Sequence, residues 1–341
     1  MRELYITSTD TIRETQKREL TLNAAKLGIT LILYDIVFLS ISRKAFLYLY
    51  YWCATCSFTF DRTQINAFYA NSGNLSSNTA FEMMYSCSVV LMSLILVIIT
   101  ARIMGIKLLS TFKLEDKSGV KSGFTMFPVV LLFNSVISGI ISFITEFMKN
   151  RGTVIPEADF TITNPSALAI VFEVLYLAII APIAEELIFR GLVLRTIAPY
   201  GKKLAIVVSA LLFGLMHGNV KQFVGAFVCG IIFAAVDVKY GSVLPSLIIH
   251  ILNNLLPIIY NIGSAVNSKA LIIIYFILLY AIILVGIYIL MSKYKSFSIG
   301  EEPKSELSYK ERIKAVVLNL PTVYALYLVF TLVYTIVVAN R

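Results

Sequence analysis

The chain has 341 residues, of which 58% are apolar and 14% charged, against about 45–50% and 25% in an average soluble protein. A mean hydropathy of +0.82 and several apolar runs about 20 residues long exclude a cytosolic enzyme, a disordered chain and a disulfide-stapled secreted domain. The formal charge of +9, from 29 Lys and Arg against 20 Asp and Glu, is read as basic membrane-flanking loops before it is read as a nucleic-acid surface.

Residues 1–21 form a polar N-terminal segment of mixed charge. The first apolar run, Leu22 to Ser42, is too long for a removable signal peptide and lacks a small-residue cleavage site, so it is expected to be a retained span. Further spans are predicted at 82–104, 127–148, 168–190, 204–219, 222–238, 243–262, 270–291 and 316–338, each near the length a helix needs to cross about 30 Å of hydrocarbon. None alternates as barrel strands do. The predicted fold is therefore an all-α polytopic transmembrane bundle of about eight or nine spans. It divides into the N-terminal segment, N-terminal spans and loops over 22–166, a polar-studded core over 167–262, and C-terminal spans with a basic loop over 263–341. Lys and Arg concentrate in segments that share a side with the N-terminus, which predicts a cytoplasmic N-terminus. A plasma membrane is the default location, since no retention signal is seen.

Cys53-Ala-Thr-Cys56 has the spacing of a redox pair or half a metal site, but no second such pair or nearby His completes one. These cysteines are read as small apolar residues beside an aromatic interfacial segment (Tyr48, Tyr50, Tyr51, Trp52). Cys87 and Cys229 are isolated.

Ionisable groups at membrane depth cost about 2.5–3.5 kcal/mol each on insertion scales, so their positions carry functional information. The 168–190 span holds Glu185, Glu186 and Arg190. Glu186 and Arg190 lie four apart and share a helix face, whereas Glu185 points about 100° away and is left as the unpaired carboxylate. The chain has two histidines, and both fall in neighbouring spans: His217 after Phe213, and His250 before Asn253 and Asn254. His250 and Asn254 share a face, and Asn253 falls about 100° off it. With turns near Tyr200 and Gly241, Glu185 and His217 come to one level about 22–26 Å from the first turn, and His250 and Asn254 lie about 13–20 Å from the second. Pro182 can break its helix and adjust the match.

A carboxylate, two imidazoles and a carboxamide in a water-poor cavity can hydrolyse an amide. Glu185 is read as the base that activates water, His217 as its orienting partner, and His250 with Asn254 as stabilisers of the oxyanion. A second version makes Glu185, His217 and His250 ligands of a catalytic Zn²⁺ and Glu186 the base; no HExxH helix selects between them.

These residues resemble a known family. EExxxR (Glu185, Glu186, Arg190), FxxxH (Phe213, His217) and HxxxN (His250, Asn254), in that order on consecutive membrane helices, look like the CAAX protease and bacteriocin-processing family, also called Abi or type II CAAX endopeptidases. The resemblance covers roughly Ala167 to Pro257. It implies a helical intramembrane endopeptidase in which the first Glu, both His and the Asn line a conical cavity. Glutamate-dependent and metal-dependent accounts of the family both exist. The substrates implied are prenylated CAAX proteins, peptide pheromones or bacteriocins.

Two other classes fit parts of the pattern. A non-catalytic immunity or scaffold protein could share the fold. A transporter could use Asp35, Glu173 and Asp237 as relay groups, but transporters commonly show related halves, and here the polar residues concentrate in one stretch. The blander readings are polar helix contacts for Asp35 and Glu173, and an interfacial ion pair for Asp237 with Lys239. Lys293, Lys295, Lys304, Lys310, Arg312 and Lys314 are read as an anchor to anionic lipid. The partners expected are membrane lipid and a peptide or lipidated protein, with no nucleic acid.

Overall fold

The computed structural model describes residues 2–33, 39–71, 94–113, 115–156, 174–293 and 298–339, together with 88, 90, 167, 170 and 171. In chain order the helices are α1 (Arg2–Ile32), α2 (Leu39–Thr55), α3 (Arg62–Asn71), α4 (Leu94–Ile103) and α5 (Lys117–Lys149). A composite helix, α6, follows, built from Val174–Ile180, Ala181–Glu186, Leu187–Leu194 and Arg195–Ile197. The remainder are α7 (Lys202–Met216), α8 (Val220–Tyr240), α9 (Leu244–Ala265), α10 (Lys269–Lys293), α11 (Tyr309–Val317) and α12 (Leu320–Ala339). The fold is an all-helical membrane bundle. Among the described residues, α5, α8, α9 and α10 are each long and apolar enough to cross a bilayer, and they coincide with four of the spans expected.

Elsewhere the boundaries move for identifiable reasons. The expected 204–219 span is the 15-residue α7, which stops at His217 because Gly218 adopts a left-handed φ of +68° that suits glycine and ends a helix. The 316–338 run breaks between α11 and α12. The polar segment 1–21 continues without a break into the apolar part of α1. Only 88, 90 and α4 of the 82–104 run are described, and Asp35, Glu173, Cys87 and Lys295 lie outside the described residues. Cys53, Cys56 and Cys229 are free thiols, and Trp52 packs on Phe58 and Phe60 at 4.1 and 5.3 Å between ring centroids.

Local signals explain most ends. Asp116 caps α5 by accepting from the backbone N–H groups of Ser118 and Gly119, and Asn219 caps α8 through the N–H of Gln222. The hairpin from α8 into α9 turns at Gly241, with φ +61°, and Pro245 opens α9, where its missing N–H leaves nothing unsatisfied. Helix α5 is the central post, packed against α8, α9 and α10, while α1 packs on α11 and α12. Leu20, Leu27 and Leu31 of α1 are buried on one face, at helical spacing. Its polar part is tied down as well: Arg13 pairs with Glu311 at 2.6 Å, and Gln16 accepts from Ser305 Oγ and Glu306 N.

Two predictions follow from this packing. A Cβ added to Gly286 would collide with the backbone oxygen of Pro128, so Gly286→Ala must push α10 off α5. It should destabilise the bundle by about 1–3 kcal/mol, read as a lowered thermal midpoint in detergent. Separately, the Ser308 hydroxyl and then Arg13 hold the Glu311 carboxyl down, from an ordinary 4.5 to about 2. A depressed carboxylate stabilises the fold above its unfolded value, and that contribution is lost as pH falls through the folded one. The thermal midpoint of the native chain should therefore exceed that of Glu311→Gln at pH 6, and the gap should close as pH falls from about 4.5 to about 2.

Candidate active site

The helix that carries the two glutamates is irregular where they sit. Val174–Ile180 and Leu187–Leu194 are wound in wide π-type turns on either side of the α-helical Ala181–Glu186, an arrangement that often marks functional sites. Pro182 opens the α-helical part and supplies no N–H to the preceding turn. The two side chains then have opposite fates. Glu186 and Arg190 are fully buried, whereas the Glu185 side chain is 24% exposed.

Glu186 is the hub of a buried polar network. Arg190 Nη1 donates to its Oε1 at 3.1 Å, His250 Nδ1–H donates to the same oxygen at 2.8 Å, and Ser246 Oγ faces Oε2 at 2.8 Å. The guanidinium also donates to the carbonyl oxygen of Gly230 at 3.4 Å. It lies over the rings of Phe213 and Phe233, at 4.3 and 5.1 Å from their centroids, so aromatic faces take up positive charge where no further oxygen reaches. Four helices meet here: α6 brings the ion pair, α7 Phe213, α8 Phe233 and Gly230, and α9 Ser246 and His250.

The network contains two residues that the sequence reading did not place in it. Asp237 is buried rather than forming an interfacial pair with Lys239: its Oδ1 accepts from the N–H of Ser246 at 3.0 Å and its Oδ2 lies 2.6 Å from Ser246 Oγ. Ser246 thus bridges two carboxylates. The signal for it was available, because Ser246 stands one helical turn before His250 and therefore shares its face. The signal for Asp237 was ambiguous, since a position near a helix end suits an exposed acid equally well.

With Nδ1–H committed to Glu186, the neutral His250 ring presents Nε2 as an acceptor, and that atom lies 3.6 Å from Glu185 Oε2. His250 is therefore the imidazole beside Glu185. His217 donates from Nδ1 to Phe213 O on its own helix at 2.9 Å. The edge of Phe213 separates the two imidazoles, with centroids 5.1 Å from His217 and 5.6 Å from His250. Asn254 donates to Leu177 O at 3.0 Å, which ties α9 to the first wide turn of α6.

His217, His250, Asn253 and Asn254 all line a cavity of about 370 Å³ that also reaches Asn134 and Ser138 of α5 and the polar turn at Asn219 and Gln222. Asn134 Nδ2 donates to Asn253 Oδ1 at 3.4 Å, so Asn253, placed off the main line by helical geometry, contributes to the wall through α5. Among the described residues, no group of three or more His, Cys, Asp or Glu side chains is arranged to hold a metal ion.

The fold and this site define a helical membrane protein with a carboxylate, imidazole and carboxamide centre held inside its bundle. Residues 167–256 match the family model described as type II CAAX prenyl endopeptidase Rce1-like, which supports the CAAX protease family, and the matched segment contains every residue of the buried network. No curated protein and no solved structure matches the chain.

The ion pair should be the most sensitive point of the fold. Arg190→Met leaves Glu186 buried without its cation and should cost about 3–5 kcal/mol. The double substitution Glu186→Gln with Arg190→Met should recover much of that loss, because no isolated charge then remains. Thermal unfolding of the single and double variants in detergent measures the coupling.

Proposed function

We propose that the protein is an intramembrane endopeptidase that hydrolyses a peptide bond of a membrane-associated, peptide or lipidated substrate, of the CAAX type that its family description names. The observation that carries this reading is the partly exposed Glu185 carboxylate 3.6 Å from His250 Nε2, with His250 itself oriented by a fully buried carboxylate at its other nitrogen. A water can sit about 2.8 Å from both atoms at once. Glu185 takes the proton of that water as its oxygen attacks the scissile carbonyl carbon, and His250 holds the water in line. The carbonyl bond opens to an oxyanion beside the Asn254 side-chain N–H that is not given to Leu177 O. Collapse of the tetrahedral species breaks the C–N bond, and the proton held by Glu185 passes to the leaving amine. His217, with Nδ1 given to Phe213 O, presents Nε2 to the cavity as a hydrogen-bonding partner for the bound peptide, and His250 has the place beside the base.

We propose a membrane orientation with the N-terminus on the cytoplasmic side, a reading supported by the distribution of Lys and Arg among the loops; the plasma membrane is its default location. No metal step enters the mechanism.

The test is proteolysis by purified protein in lipid nanodiscs, on matched farnesylated and unmodified peptides ending in a CAAX sequence. Glu185→Gln should lower the cleavage rate by about 10²–10⁴-fold without shifting the thermal midpoint. His250→Gln should lower the rate as well, and it should also lower the thermal midpoint, because the same ring donates to the buried Glu186 carboxylate. Cleavage unaffected by both substitutions would defeat the assignment, and inhibition by a chelator that added Zn²⁺ reverses would replace water activation by Glu185 with a metal mechanism.

A further inference from the structure

A second cavity, of about 530 Å³, lies between α5, α8 and α10. It occupies the first half of α5 and the last turns of α8 and α10, the end of the bundle away from the polar turn at Asn219. Its composition is graded along its length. At the mouth stand Lys121, Lys239, Ser118, Ser122, Thr125 and Tyr240, and deeper in the wall is made by Val129, Phe133, Ile232 and Leu290. Among the described residues that line it, none is acidic.

The dimensions match one leaflet. From Ser118 to Phe133 the wall runs 15 residues along α5, or about 22 Å, and half of a bilayer including its headgroup layer is about 20–22 Å. The cations and hydroxyls therefore stand at headgroup level and the apolar wall at acyl-chain level. Two ammonium groups with the hydroxyls of Ser122 and Tyr240 offer charge and hydrogen bonds to a phosphodiester, while Ser118 Oγ–H is given to Asp116 and Thr125 Oγ–H to Lys121 O.

We propose that this cleft is a binding site for an anionic glycerophospholipid, whose phosphate lies between Lys121 and Lys239 and whose acyl chain runs down the wall to Phe133. The proposal is independent of the catalytic reading, because none of its residues belongs to the buried network or to the cavity of His217 and His250.

The experiment is native mass spectrometry of the full chain in detergent, delipidated and titrated with dioleoylphosphatidylglycerol or dioleoylphosphatidylcholine. The expected result is a preference for the anionic lipid of roughly 20- to 30-fold, the contribution of two lysines near a membrane surface. Lys121→Gln with Lys239→Gln should bring the ratio close to one. Ile232→Trp, which fills the apolar end and keeps both lysines, should lose binding of both lipids. Equal binding of the two lipids by the native chain, or an unchanged preference in the Lys121 and Lys239 variant, overturns the proposal. Displacement of the bound lipid by millimolar glycerol phosphate also overturns it, since the site would then be one for a soluble phosphate.

Discussion

A fully buried ion pair in the middle of a membrane bundle is a demanding constraint, and Glu186 with Arg190 imposes it here. Removing two charges from water costs several kcal/mol per ion even after relaxation, and their mutual attraction offsets this only when the remaining donors and acceptors are also satisfied. The neighbours do so for most of them: a hydroxyl and an imidazole from α9, a carbonyl from α8, and the faces of Phe213 and Phe233, while among the described residues Arg190 Nε has no hydrogen-bond partner. Each of these contacts fixes a helix relative to α6. The pair therefore acts less as a source of stability than as a coordinate origin for α7, α8 and α9, and any arrangement that moved one of them would leave a charge exposed to hydrocarbon.

That origin also decides the chemistry. Because Glu186 takes Nδ1 of His250, the other nitrogen must face the opposite way, toward Glu185 and the cavity. Adjacent carboxylates on one helix are separated by about 100°, and this angle makes one structural and the other accessible. The wide turns before and after Ala181–Glu186 shift the phase of the helix, and the accessible carboxylate lies 3.6 Å from His250 Nε2 while its neighbour stays in the core. Two residues adjacent in sequence are thus joined through one imidazole on another helix.

Much of this was legible without coordinates. The all-helical membrane class came from composition and run length, and the Glu186 with Arg190 pairing from an interval of four. The turns near Tyr200 and Gly241 fall where glycine and a helix break place them. What stayed hidden depended on direction across helices. Periodicity says that His217 and His250 lie at workable depths, but it does not say that His217 bonds its own helix while His250 reaches both glutamates. Asp237 looked like an interfacial acid because burial is a property of the surrounding helices. Asn134 carries no motif and enters only because α5 crosses α9 at Asn253. The composite nature of α6 was equally invisible, since π-type turns use the same apolar residues as an ordinary helix.

The two cavities share a wall, and this gives α5 a mechanical role. Phe133 lines one and Asn134 the other, so consecutive residues about 100° apart face lipid-like and polar surroundings. One turn and a half earlier, Pro128 removes the N–H that would bond Phe124 O, which makes this the point at which α5 bends most readily. At the same point Gly286 of α10 approaches the Pro128 backbone so closely that no side chain fits between them. The contact braces the helix where its own hydrogen bonding is weakest. The packing of α10 on α5 thereby supports the helix that carries Asn134, and through it Asn253, at the cavity wall.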